Sequence, residues 1–174
     1  MPANTPHRLS VLNQCSRDAF VSVLGGVFEH SPWVADRALD ARPFDNLGAL
    51  HARMVLAVMN ASRDEQLKLL RTHPELAGKE AQSGTLTDDS TREQRGAGLI
   101  NLDAAEKARI ARLNADYRAK HGFPFIIAVR NHTHAQIFSE FARRLDQDPE
   151  TEMSACLEQV FTITRLRLEA MITD

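Results

Sequence analysis

Apolar residues recur along this chain at steps of three and four, the spacing that gathers them on one face of a helix. The clearest stripe is Leu47, Leu50, Met54, Ala57 and Val58, so 46–60 reads as an amphipathic helix. An earlier one, Ala19, Phe20, Val23 and Leu24, follows Ser16 and should end or loosen at Gly25-Gly26. Ser62 with Glu65, Asp103 with Glu106 and Thr133 with Gln136 have the spacing of a capping box, in which side chains satisfy the orphan amides of a helix start. The first box opens a helix that stops at His73. The second leads Ile110, Leu113 and Tyr117 to a stop at Gly122, and the third carries Ile137, Phe138, Phe141 and Leu145 inward. Ser31-Pro32 reads as a cap followed by proline at the first helical position. Asp148-Pro149 opens a long terminal helix with Met153, Cys156, Leu157, Val160, Phe161 and Leu168 apolar. No alternating strand series appears. The expected fold is therefore all-α, a compact single-domain bundle of about seven to nine helices over 1–174.

Bulk properties narrow the partner. The 174 residues can bury roughly two-thirds of the surface their unfolded chain exposes, enough for one ordinary core. Lys plus Arg number 21 against 23 Asp plus Glu, and this net charge of -2 offers no basic field for nucleic acid and no polybasic membrane anchor. A small-molecule partner remains. No apolar run approaches the ~20 residues of a membrane span, and residues 1–6 lack a secretory pattern. Cys15 and Cys156 are far apart without a C-x-x-C spacing and read as reduced buried thiols, which suits the cytoplasm. The chain ends Met171-Ile172-Thr173-Asp174, without a Ser-Lys-Leu type peroxisomal address.

Three segments break the helical rhythm with residues that packing alone would not choose. His73-Pro74-Glu75-Leu76-Ala77-Gly78 puts an imidazole at a helix break, since the proline ring disfavours helical geometry just before it. Alone, His73 also fits a helix C-terminal role on the last carbonyls. In Ser90-Thr91-Arg92-Glu93-Gln94, Ser90 with Glu93 has capping-box spacing, and Glu93 and Gln94 could equally point at a polar ligand. The third segment, Phe123-Pro124-Phe125-Ile126-Ile127-Ala128-Val129-Arg130, is an apolar run that on its own reads as core. The stretch 78–87, rich in Gly, Ser, Thr and Gln, is a longer connection than a simple bundle needs.

In order and spacing the segments resemble the 2-oxo-4-hydroxy-4-carboxy-5-ureidoimidazoline (OHCU) decarboxylase family. The resemblance begins at Phe28-Glu29-His30-Ser31-Pro32-Trp33 and Arg42-Pro43-Phe44. It runs through the His73 segment, Gln82-Ser83-Gly84-Thr85-Leu86-Thr87, Glu93-Gln94, Ala97-Gly98-Leu99 and Leu113-Asn114-x-x-Tyr117. It closes with the apolar run and Arg167-Leu168. The resemblance implies a helical homodimer that decarboxylates OHCU to S-allantoin in urate (purine) catabolism, without cofactor or metal. It implies His73 as proton carrier and Glu93 as its orienting carboxylate. It also maps substrate binding onto Pro74, Ser90, Thr91, Arg92, Glu93, Gln94, Phe125, Ile126, Ile127, Ala128 and Val129. Arg130 and Arg167 are candidates to neutralise a carboxylate, with surface or helix-end roles as the alternative.

Two other classes of function compete with this reading. Seven histidines and the run His132-Thr133-His134 prompt a metal-dependent hydrolase of a ureide or cyclic amide. Residues two apart on a helix do not share a face, which counts against it. A non-catalytic helical interaction module would show a large exposed apolar stripe and indifference to His73 replacement.

Overall fold

Polar side chains that can cap a helix mark most of the observed helix starts. The computed structural model describes residues 6–173, and the targeting signals sought at 1–5 and 174 lie outside these. Two compact units make up the chain, Met1–Thr72 with Phe161–Asp174, and His73–Val160.

In the first unit β1 (His7–Arg8) pairs in parallel with β2 (Ile172–Thr173). Four helices follow β1: α1 (Leu9–Leu12), α2 (Arg17–Leu24), α3 (Trp33–Ala38) with a 3-10 turn Leu39–Ala41, and α4 (Leu47–Met59). The unit's next helix is α5 (Arg63–Arg71). Ser16 caps α2, Asn46 caps α4 by accepting from the Ala49 N–H at 2.9 Å, and Ser62 with Glu65 forms a complete box on α5. Each such cap contributes about 1 kcal/mol. Helix α3 packs on α2 and α4, around the buried side chains Phe20, Leu24, Val34, Leu50, Met54, Val58 and Leu70. The 46–60 stripe thus faces inward. Of the Ser16 stripe only Phe20 and Leu24 are buried, while Ala19 is exposed and Val23 half-buried, because an eight-residue helix offers its core two turns. Pro32 rather than Ser31 is the cap residue of α3, a boundary shift of one.

The second unit contains α6 (Lys79–Ser83), α7 (Asp88–Gly96), α8 (Ala104–His121), a 3-10 turn Val129–Asn131 and α9 (His134–Leu145). Helix α10 (Pro149–Met171) belongs to it as far as Val160. Asp103 with Glu106 and Thr133 with Gln136 complete the boxes on α8 and α9. Gly122 ends α8 at φ +80°, the left-handed conformation that glycine adopts without strain. The Asp148 carboxylate accepts from the Glu150 and Thr151 N–H groups at the start of α10. The core is aromatic: Phe125 stacks on Phe141 with centroids 3.9 Å apart, and Tyr117 meets both edge-on.

Three departures from the sequence expectation have simple causes. The described residues hold ten α-helices rather than about seven to nine, because α1 and α6 are too short to display a period. Two-residue strands cannot show alternation either. Ser90 does not start a helix: Thr87, one turn earlier, caps α7 and accepts from the Ser90 N–H, so the box at Ser90 and Glu93 gives way. Among the described residues no helix is long and apolar enough to cross a membrane.

Candidate active site

The turn that carries His73 is fixed by its neighbours as well as by its own sequence. His73 is half-buried and Pro74 buried. Ala77 sits at φ +48°, an uncommon conformation for a residue with a Cβ, and its N–H donates to the Gln94 carboxamide oxygen at 2.8 Å. The Gln94 Nε2 donates to the Glu75 carbonyl at 3.3 Å, and the Asn114 Nδ2 to the Leu76 carbonyl at 2.9 Å. Arg118 holds the Glu75 carboxylate at 2.8 Å. A Cβ on Gly78 would lie 2.7 Å from the Glu75 Cβ, so the turn closes only on glycine. An open cleft of about 650 Å³ runs beside this turn, lined in part by Glu75, Gly78, Gln82, Asn114 and Arg118. His73 and Glu93 are absent from its lining, so it is not where those two groups would meet a ligand.

Gln94 therefore ties the first segment to the second. On α7 Ser90 and Gln94 are buried one turn apart, Glu93 and Thr91 are half-buried, and Arg92 is exposed in an ion pair with Asp89. The third segment is adjacent, because α7 packs on the 3-10 turn Val129–Asn131. Residues 123–129 are all buried, whereas Arg130 is exposed.

Along the third segment the backbone is pinned at alternate points. The Ile126 carbonyl accepts from Arg144 Nη1 at 2.7 Å, and the Ala128 N–H donates to Gln159 Oε1 at 2.9 Å. The Ala128 carbonyl lies 3.0 Å from the His132 ring Nδ1. Ile127, between the two pins, has neither peptide group bonded to another described residue. Behind the segment, Arg144 grips Glu152 through Nε at 3.0 Å and Nη2 at 2.9 Å. The Tyr117 hydroxyl donates to the same carboxylate. Cys156 completes the cluster at 3.2 Å from Arg144 and 3.3 Å from Tyr117. Burial pushes the Arg144 guanidinium down, but Glu152, together with Cys156 and Tyr117, more than offsets this and holds it above its ordinary value. Burial, with Cys156 and Glu152 beside it, pushes the Tyr117 hydroxyl up, and burial does the same to the Cys156 thiol.

The remaining candidates have other settings. Arg167 lies buried in the first unit, where it donates to the Glu29 carboxylate at 3.2 Å and the Val27 carbonyl at 3.3 Å. His134 is paired with Glu106 at 3.6 Å, away from the Ala128 carbonyl that His132 approaches, so the two histidines do not converge. Among the described residues no group of three or more His, Cys, Asp or Glu side chains is placed to hold a metal ion. Both cysteines are free thiols.

Sequence reasoning missed the residues that brace these segments. Asn114 and Tyr117 stood in a recognised block without a role, and Gln159 gave no signal. Arg144 was masked by a stripe that put Leu145 inward; Leu145 is half-buried and Arg144 is 4% exposed, so the buried position is the charged one.

Residues 13–169 match the family model described as OHCU decarboxylase. A 2-oxo-4-hydroxy-4-carboxy-5-ureidoimidazoline decarboxylase of Haloferax volcanii is 41% identical over 160 residues, covering 92% of this chain and 93% of the relative. The uric acid degradation bifunctional protein PucL of Bacillus subtilis is 40% identical over 94% of this chain, which spans only 32% of that longer protein. Among solved structures, one described as (S)-allantoin synthase superposes with a TM-score of 0.74 at 31% identity, over 97% of this chain and 54% of that one.

Proposed function

This chain belongs to the OHCU decarboxylase family, and on that premise we propose that it removes carbon dioxide from OHCU to give S-allantoin in urate breakdown. The observation that carries the assignment to these residues is the Gln94 carboxamide. By bonding Ala77 and Glu75 it joins the His73 turn to the helix of Ser90 and Glu93. The relative that is by name a uric acid degradation protein supports the metabolic setting.

Loss of carbon dioxide leaves the electron pair of the broken C–C bond on the ring. The substrate's conjugated ring nitrogen and carbonyl accept it, so the protein's work is orientation, charge placement and protonation on one face. His73 either takes the substrate hydroxyl proton or protonates the developing enol, help that is typically worth ~10² to 10⁴ in rate. Glu93 orients that imidazole. Ser90, Gln94 and Pro74 flank it, and the peptide groups of 125–129 read the flat polar edge of the ring, with those of Ile127 lying between two anchored neighbours. Thr91, Arg92 and Arg130 border the site, and Arg167 remains a candidate for the substrate carboxylate by family resemblance. The reaction needs no cofactor. The family model spans both units without a break, which supports one domain, and we take the working form to be a cytoplasmic homodimer.

The test is direct. Urate oxidised in the presence of this protein should give rapid growth of the circular dichroism of S-allantoin. Slow racemic decay, unchanged by added protein, would remove the assignment.

A further inference from the structure

Arg144 spends its donors in two directions at once. Nε and Nη2 lie on the Glu152 carboxylate, and Nη1 crosses to the Ile126 carbonyl at 2.7 Å. Burying such a pair costs several kcal/mol of desolvation per ion, and apolar residues of like volume often serve stability as well or better. An ion pair kept in a core of aromatic rings is thus weakly explained by stability alone. What an apolar replacement cannot supply is the third contact, a fixed donor for a backbone carbonyl, and a planar guanidinium can point its fork at a carboxylate while reserving one N–H for another acceptor.

That carbonyl is one of two anchors on the apolar segment. Two residues on, the Ala128 N–H is held by Gln159 at 2.9 Å. The anchors bracket Ile127, whose N–H and carbonyl have no bonded partner among the described residues. Backbone groups buried without a partner are rare and expensive. Their orientation is fixed from outside by side chains of α9 and α10. Helix α9 supplies Arg144 near its C-terminal end, while Glu152 and Gln159 stand two turns apart on α10.

We propose that Arg144, held by Glu152 and assisted by Gln159, is a positioning residue that aims the Ile127 peptide groups at the ring edge of the bound substrate. The inference rests on the reading of 125–129 as the substrate clamp given above. Arg144 itself stays behind the segment and touches no substrate.

The experiment compares Arg144→Lys with Tyr117→Phe. Lysine keeps the charge but cannot hold both Glu152 and Ile126, so KM for OHCU should rise about tenfold, the size of one lost hydrogen bond, while kcat stays within about threefold. Tyr117→Phe removes a bond to Glu152 yet leaves the Arg144 to Ile126 contact, so it should lower Tm with an unchanged KM. Amide hydrogen exchange at Ile127 and Val129 should quicken in Arg144→Lys and not in Tyr117→Phe. A wild-type KM in Arg144→Lys, or an equal rise in KM in both variants, overturns the proposal. Should Arg144→Lys fail to fold, Gln159→Leu tests the other anchor, with a raised KM expected and a wild-type KM overturning it. If the wild-type protein itself does not turn over OHCU, the functional reading fails separately. The exchange comparison then still decides the anchoring, and equal exchange in both variants sinks it.

Discussion

Two irregular segments of the second unit, the turn 73–78 and the run 123–130, are built on opposite plans. On the proposed function the turn carries its chemistry on one side chain, His73, and the run reads the substrate with its peptide groups; the turn is held by neutral amides, Gln94 and Asn114, with Arg118 at its outer edge. The run offers peptide groups in place of a reactive side chain, and it is held from behind by a buried ion pair and a carboxamide. The difference teaches where precision is needed. One imidazole on a short stem is aimed by fixing a single turn, whereas a row of peptide groups that must match a flat heterocycle needs its carbonyl and amide planes fixed one by one.

The largest effect expected from this contrast is on the turn. His73→Asn keeps a polar group of similar size and removes the titrating imidazole, so kcat should fall by ~10² to 10⁴. Circular dichroism in the far ultraviolet and the Tm should stay close to wild type. The Arg144→Lys variant is the mirror case, with KM moved and kcat kept. A His73→Asn enzyme of near-normal kcat would erase the distinction between a reactive side chain here and a reading surface there.

A smaller effect falls on the joint between the two plans. Gln94→Ala deletes both bonds to the turn and leaves the Ala77 N–H and the Glu75 carbonyl without their partner. Stability should drop by ~1–3 kcal/mol in urea unfolding. Ala77 would lose the bond that holds its φ of +48°, so activity should fall further than the loss of stability accounts for. If stability falls and kcat/KM does not, the turn keeps its shape without Gln94, and the tie to α7 is packing alone.

The same contrast explains what could be read in advance. Caps and stripes are local, so Ser62, Asp103 and Thr133 announced their helices and the 46–60 stripe announced its buried face. The His73 turn was legible as a helix stop, because the proline after His73 disfavours helical geometry there, while a role for its imidazole came only from resemblance. The apolar run was recognisable only by resemblance, since the role proposed for it lies in peptide groups that every sequence possesses. Its braces were invisible for a different reason. Arg144 and Glu152 stand among charged residues around 143–152 that look like a solvated surface, and only the packing of α9 against α8, with the bonds of Glu152 to Tyr117 and Arg144, buries them. Thr87 shows the local limit: two cap signals three residues apart, at Thr87 and Ser90, cannot both begin α7, and the earlier one does.

The smallest effect separates His121, beside the run, from His73 on the turn. His121 closes α8 just before the run, is buried against Tyr117 with centroids 4.3 Å apart, and has neither ring nitrogen bonded within the described chain. The nearby Leu145 carbonyl accepts from Lys120 at 2.8 Å and, like Glu152, favours the protonated form of the His121 ring. Burial pushes the His121 imidazole below its ordinary value of 6.5, outweighing the opposing pull of Glu152. Unfolded chains therefore bind its proton more readily, so stability is complete above pH 6.5 and declines as the pH falls below it. His51 in the first unit is lowered as well, by burial and then Arg165, and contributes with the same sign. His121→Leu should raise stability at neutral pH by up to about 1 kcal/mol, through loss of an unsatisfied polar ring. It should also shallow, without abolishing, the decline between pH 7 and pH 5 in urea unfolding, because the His51 share persists. With the proton work assigned to His73 as proposed, the pH dependence of kcat should not move. A shift in that profile would mean that the framework histidine reaches the chemistry, and that the run and the turn are not divided as their construction implies.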